Sequence, residues 1–297
     1  MGLMDGKVAI VTGAGRGIGR GEALLLANEG ARVIVNELDA DTGQAVVDEI
    51  VANGGEAALN TDDCSDDDGA RALVEQAVGT YGGLDALVNN AGIVRDRTLV
   101  KMTPDEWDAV IKVHLRGHYA PTHHACAWWK EHGQPGHVVC TASTSGLLGN
   151  FGQANYGAAK AGIAAFATIV AMEMWRYGVT VNAIAPAART RMTEGAYGSI
   201  ETGEGFDFWH PDNVAPMVVY LCSDASSHIS GKTFGVQGNV VELYQPWTSF
   251  GEIVNDAGRW EPTDLATKVD ALFDGFPIAP EATNGMARLR YTMTQRS

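Results

Sequence analysis

Short apolar runs recur along the chain at Val8 to Val11, Arg32 to Val35, Ala57 to Leu59, Ala86 to Val88, His137 to Cys140, Val179 to Ala183 and Thr233 to Val236. Each is nearly continuous rather than alternating, the pattern of a strand buried on both faces. Helix-length segments separate the runs, following Gly17, Ala40, Asp66, Thr103, Asn155 and Pro211. Thr103 with Glu106 three residues later resembles a capping box, with Pro104 in the first turn. Strands alternating with crossover helices predict one doubly wound α/β domain around a mostly parallel sheet of about seven strands. No fixed-period repeat interrupts this rhythm. From about Val240 the pattern gives way to Trp247, Trp260 and scattered prolines and acids. The division expected is a domain over 1–240 and a C-terminal extension over 241–297 that packs on the domain or on a neighbouring subunit. A disordered tail is the alternative, which the aromatic residues disfavour.

Composition narrows the class of partner more than the fold. The 297 residues are 45% apolar, enough for a sizeable core. Acidic side chains outnumber basic ones 36 to 21, a formal charge of -15, which disfavours nucleic acid as a partner. Cys64, Cys126, Cys140 and Cys222 lack Cys-x-x-Cys spacing, so neither a disulfide framework nor a metal site is suggested. Residues Met1 to Lys7 do not read as a signal peptide, and no run was expected to reach the roughly 20 apolar residues of a membrane span. The ending Thr294-Gln295-Arg296-Ser297 is not a peroxisomal Ser-Lys-Leu address. The expectation is a cytoplasmic protein that acts on a small molecule, away from membranes.

The first apolar run leads directly into Thr12-Gly13-Ala14-Gly15-Arg16-Gly17-Ile18-Gly19. A strand, a glycine-rich turn and a helix start together form a pyrophosphate cradle: glycine lets the backbone approach closely, and unpaired N–H groups at the helix start attract the anion. The Gly13, Gly17, Gly19 spacing differs from Gly-x-Gly-x-x-Gly. It resembles that of the short-chain dehydrogenase/reductase family. Further marks fall in order: Asn89-Asn90-Ala91-Gly92 after the fourth strand, Ser143 thirteen residues before Tyr156, Tyr156 four before Lys160, and Pro186 four before Thr190. The resemblance covers roughly residues 5 to 240. It implies a Rossmann-like sheet of strand order 3-2-1-4-5-6-7, a nicotinamide cofactor, and a homodimer or homotetramer.

Glu37, at the end of the second strand, lies where an acid can bond the adenosine ribose hydroxyls and repel a 2′-phosphate, so NAD is expected over NADP. Arg16 is a competing signal, because a basic residue in the glycine turn can face that phosphate; it can equally be a solvated loop charge. The resemblance also places Asp63 at the adenine, with Asp62 an adjoining charge, Asn90 along the cofactor channel, Thr190 at the nicotinamide carboxamide and Ile184 against the nicotinamide. Gly13, Gly17, Ile18 and Gly19 complete the expected cofactor set.

Four-residue spacing puts Tyr156 and Lys160 on one face of a helix. Tyrosine ordinarily titrates near about 10 and needs a neighbouring positive charge to exchange protons at neutral pH. In a nicotinamide enzyme Tyr156 is then the general base for alcohol oxidation and the acid in reverse. The resemblance gives Lys160 a second role, on the nicotinamide ribose, and gives Ser143 the substrate oxygen; Thr141, Thr144 and Ser145 are its neighbours and competitors. His114 stands where most relatives carry an asparagine that orders a proton-relay water. It either organises that relay or is structural.

Val113-His114-Leu115-Arg116-Gly117, Gly149 to Tyr156, Asn90 to Arg97, Ile184-Ala185-Pro186 and Arg191-Met192-Thr193 resemble the (3R)-hydroxyacyl-CoA dehydrogenase subgroup found in type 2 multifunctional enzymes. Oxidation of a (3R)-hydroxyacyl-CoA, fatty or steroid, to the 3-oxoacyl-CoA is the activity implied. A 17β-hydroxysteroid dehydrogenase, a 3-oxoacyl reductase and a non-catalytic NAD sensor are the alternatives. Arg95, Arg97, Arg189 and Arg191 are candidate contacts for the coenzyme A phosphates, or ordinary surface charge. Thr193 to His210 is a candidate lid whose Tyr197, Phe206, Phe208 and Trp209 cover an apolar chain or simply pack.

Overall fold

Strand β1 (Val8–Thr12) is buried at every position, as a strand with parallel neighbours and both faces covered must be. The computed structural model describes residues 2–190 and 205–273. β1 lies between β2 (Arg32–Asn36) and β4 (Ala86–Asn89), with β3 (Glu56–Asn60) beyond β2. β5 (Gly136–Thr141), β6 (Val179–Ala187) and β7 (Thr233–Gln237) continue the parallel ladder past β4. The order 3-2-1-4-5-6-7 is therefore as expected, but an eighth strand, β8 (Val240–Tyr244), returns antiparallel to β7. The Gly238-Asn239 turn, with Gly238 at φ +53°, makes this hairpin. β8 escapes an apolar-run search because only Val240 is buried on it. The sheet thus extends past residue 240: the first compact unit runs through Tyr244 and the second starts at Gln245.

Alternation along each strand feeds two separate apolar layers. Ala9, Val11, Val33 and Val35 meet Leu26 of α1 (Gly17–Asn28), Ile50 of α2 (Ala40–Ala52) and Val218 of α8 (Ala215–Leu221). Val8, Ile10 and Ile34 meet Leu73 of α3 (Asp67–Tyr81), Trp129 of α5 (Gly117–His132) and Ile163 of α7 (Ala154–Met174). Each fully buried Leu, Ile or Val contributes roughly 1.5–3 kcal/mol. Trp129 satisfies its indole N–H on the Leu84 carbonyl at 2.7 Å, so the largest buried ring carries no unmet donor.

α4 (Pro104–Ile111) starts with the expected reciprocal Thr103 and Glu106 capping box. It runs through one π turn, Lys112–Arg116, into α5. α5 was not expected, since Pro121 and a series of histidines disguise its period. α7 with the turn after it, Ala154–Tyr177, is by length and mean hydropathy of 1.3 apolar enough to cross a membrane, which overturns the expectation that no segment would be. Here Ile163, Ala167 and Ala171 of this helix are buried in the second apolar layer. In the second unit the described residues include α9 (Pro262–Lys268) and the turn Val269–Phe273.

Candidate active site

The start of α7 is fixed by Asn155, a residue without an assigned role in the sequence reading. Its carboxamide oxygen accepts the Tyr156 N–H at 2.8 Å, and its amide nitrogen donates to the Arg95 and Glu106 carbonyls. Tyr156 is thereby placed one turn before Lys160, whose Nζ lies 5.6 Å from the centre of the phenol ring. Lys160 is only 2% exposed, and its ammonium donates to the Thr141 carbonyl at 2.5 Å. Burial pushes this ammonium down to about 7. An amine so placed has a proton to share near neutrality rather than a fixed charge.

His114, on the π turn, sets its ring edge-on to Tyr156, centroids 5.1 Å apart at 88°. Its Nε2 is 2.6 Å from the Ile93 carbonyl oxygen and 3.0 Å from the Ile93 nitrogen, so it donates to the first or accepts from the second according to its tautomer. Nδ1 is buried and, among the described residues, without a hydrogen-bond partner. Burial and the nearby Lys160 charge push the imidazole down to about 3, against the Ile93 hydrogen bond. His114 is therefore neutral at working pH and cannot act by becoming charged. Gly92 makes room for the ring: a Cβ there would lie 2.4 Å from His114 Cε1. The main chain of the same turn is held by His118, whose Nδ1 is 2.7 Å from the His114 carbonyl and whose Nε2 accepts the Thr141 N–H at 3.1 Å. The signal for His118 in the sequence was its i+4 spacing from His114.

Ser143 caps the short helix α6 (Thr144–Leu148), its Oγ accepting the Ser145 N–H at 3.2 Å. That bond uses a lone pair and leaves the hydroxyl hydrogen to donate. α6 sits directly on α7, since a Cβ at Gly146 would stand 2.4 Å from the Ala161 nitrogen. Of its competitors, Thr141 serves through its main chain, and its hydroxyl is buried.

The glycine turn fits a dinucleotide on steric grounds. Gly13 is at φ +62°, and a Cβ there would meet Ala91 Cα at 2.8 Å; a Cβ at Gly19 would lie 2.4 Å from both Asn90 Nδ2 and the Gly13 oxygen. α1 has no side-chain cap at Arg16, so its first N–H groups are open to an anion. Asn90 shapes the cradle by donating to the Thr12 and Gly13 carbonyls. Thr190 is beside it: a Cβ on Gly17 would be 3.5 Å from Thr190 Cγ2. Ile18 is half-buried against the first apolar layer.

Glu37 accepts the Gly15 N–H at 3.1 Å and the Asp39 N–H at 3.3 Å. Arg16 is held by Asp39 at 2.6 Å. Asp63 accepts from Ser65 and pairs with Lys112 at 3.1 Å, while Asp62 accepts from the Asn60 amide. Ile184 corrects an expectation. It is fully buried within β6 among the first-layer residues and presents no surface to a nicotinamide, because β6 is still covered on both faces there.

On the substrate side, Arg189 is paired with Asp207 and Arg97 with Glu106 at 3.4 Å. Arg95 is exposed and makes no ion pair among the described residues. Phe208 packs on Gly238 and edge-on to Trp209, whereas Phe206 is exposed. Arg191, Met192, Thr193 and Tyr197 lie outside the described residues. The four cysteines are buried free thiols, and burial pushes those of Cys64, Cys126 and Cys140 up to about 12.

A parallel sheet with a glycine-turn cradle at the start of α1, a serine between β5 and α6, and a phenol and an ammonium on the first turns of α7 define a nicotinamide-dependent oxidoreductase. The chain belongs to the short-chain dehydrogenase/reductase family: the short chain dehydrogenase model matches residues 7–197. It is 43% identical over 287 residues to hydroxyacyl-CoA dehydrogenase ChsB1 of Mycobacterium tuberculosis, covering 92% of this chain and 90% of that protein. It is 45% identical over 263 residues to peroxisomal multifunctional enzyme type 2 of Drosophila melanogaster, covering 86% of this chain and 41% of that longer protein. A crystal structure of a short chain dehydrogenase from Mycobacterium avium superposes with a TM-score of 0.86 at 45% identity, covering 96% of this chain and all of the other.

Proposed function

We propose that this enzyme oxidises a (3R)-hydroxyacyl-CoA to the 3-oxoacyl-CoA with NAD. The observation that carries the chemistry is the contact set of Tyr156 with Lys160 at 5.6 Å and His114 at 5.1 Å beside the glycine cradle. The substrate class is supported by the likeness to ChsB1, named a hydroxyacyl-CoA dehydrogenase. When bound, the nicotinamide accepts a hydride from the carbinol carbon. Tyr156 takes the hydroxyl proton, and Lys160, when protonated, favours the phenolate that can do so. Ser143 donates its free hydroxyl hydrogen to the substrate oxygen as that oxygen becomes a carbonyl. His114, edge-on to the phenol, is the neighbour through which Tyr156 returns the proton toward solvent.

Preference for NAD rests on two acids rather than one. Glu37 is positioned by the Gly15 N–H at the ribose end of the cradle, and Asp39 neutralises Arg16, the side chain that would otherwise attract a 2′-phosphate. Exposed Ile169 and Met172 of α7 and Trp175 in the turn after it, spaced by three, support self-association as a homodimer or homotetramer.

The test is NADH formation from a panel of acyl-CoA and steroid alcohols offered with NAD or NADP. Turnover of hydroxyacyl-CoA with NAD is expected. Turnover of free steroid alcohols alone would move the assignment to a hydroxysteroid dehydrogenase, and cofactor binding without any turnover would make the protein a sensor.

A further inference from the structure

His118 takes no part in the chemistry above, yet it is 1% exposed and both of its ring nitrogens are engaged. One neutral tautomer satisfies both contacts: Nδ1–H donates to the His114 carbonyl, and Nε2 accepts from the Thr141 N–H. Burial, reinforced by the Lys160 charge and by His114 and opposed by main-chain hydrogen bonds to His114 and Asn89, holds this imidazole well below its ordinary titration range, so the ring is neutral at working pH.

His118 meets the sheet where β4 stops. β4 ends at Asn89, opposite Cys140, a parallel pairing in which the Asn89 carbonyl takes the Thr141 N–H. The next N–H, that of Ala142, goes to the Ile184 carbonyl on β6 at 2.7 Å. The His118 ring, which also bonds the Asn89 carbonyl, is a second acceptor for the Thr141 N–H. The Thr141 main chain is thus held on both sides, its N–H by β4 and His118 and its carbonyl by Lys160.

We propose that His118 is a positioning residue of the active site: a neutral imidazole strut that steadies the Thr141 main chain, and through it Lys160, while tying the His114 turn to the same point. The inference rests on the Tyr156 and Lys160 acid/base reading. A strut of this kind transmits no proton. It sets how closely the Lys160 ammonium is held to Tyr156, and so the ease with which the phenol ionises. The titratable groups facing that pair are His114 from the π turn, His118 from α5 and Cys140 from β5.

The test compares His118→Phe, which keeps a ring but bonds to neither partner, with His118→Gln, whose amide carries both a donor and an acceptor. Ionisation of Tyr156 is read in the free enzyme from the tyrosinate ultraviolet difference spectrum against Tyr156→Phe, a measurement that needs no substrate. The kcat and KM of alcohol oxidation are followed across pH beside it. His118→Phe is expected to move Tyr156 ionisation upward by about one pH unit and to lower kcat near neutrality about tenfold, with KM within about twofold, and Gln to restore most of both. Should the Phe variant fail to fold, Gln is compared with His118→Asn, which is too short to reach both partners. A folded Phe variant that titrates and turns over like the parent, or equal behaviour of Gln and the crippled variant, would overturn the proposal. A parent enzyme inactive on every alcohol would count against the functional reading alone, because the titration still reports on His118.

Discussion

A phenol four residues from an ammonium is common on helix surfaces. At Tyr156 and Lys160 burial makes the difference, because a lysine pushed down to about 7 is in play at the pH where the phenol must work. Tyr156→Phe should lower kcat about 10²- to 10⁴-fold while leaving cofactor affinity intact, as measured by NADH fluorescence titration. Asp39→Ala should raise kcat/KM for NADP about tenfold by releasing Arg16, and an unchanged NADP/NAD ratio would sink the two-acid account of selectivity. At this scale the sequence was readable wherever spacing along one element carries the chemistry, as it does for Tyr156, Lys160 and the glycines. It was not readable for Asn155 or Asp39, whose partners are main-chain groups or side chains brought together only by folding, and for His118 it offered only the spacing from His114. Ile184 was misread for the complementary reason: closeness in sequence to Thr190 does not expose a residue that its own strand still buries.

Elements position these residues through close backbone approach. Gly92 gives the His114 ring its space and Gly146 lets α6 lie on α7, so the catalytic turn, the serine helix and the lysine helix form one rigid surface. The seven core strands were legible because apolar runs mark strands buried on both faces. β8 and α5 were not, since a half-exposed edge strand and a helix carrying Pro121 both lack the period that marks their class. α1 also contains a weakness. Glu22 is buried near Cys222 with neither carboxylate oxygen hydrogen-bonded among the described residues, and burial pushes its acid up to about 8. The folded pKa is raised, so stability from this group is full below its ordinary value near about 4.3 and is lost as pH rises through 8. Thermal unfolding should therefore show Glu22→Gln close to the parent at about pH 5 but more stable by roughly 3–5 kcal/mol above about pH 8. A constant difference across pH would mean that the carboxyl is not buried as described.

For the whole molecule, a charge of -15 leaves few basic groups to meet the phosphates of coenzyme A. Arg189 and Arg97 are already paired, which leaves Arg95 as the exposed described arginine of the four candidates without an ion pair. The exposed apolar stripe at the end of α7 and the turn after it belongs to the same scale. Met172→Glu combined with Trp175→Glu should shift light scattering toward the monomer mass, and an unchanged mass would place the subunit contact elsewhere. The central claim concerns what the assembled site oxidises. Its most direct test is the rate of NADH formation from a (3R)-hydroxyacyl-CoA against its (3S) isomer, in the parent enzyme and in Tyr156→Phe. The account predicts NADH from the (3R) isomer only, abolished by the substitution. NADH from neither isomer by an enzyme that binds NAD, or turnover indifferent to Tyr156, would contradict it.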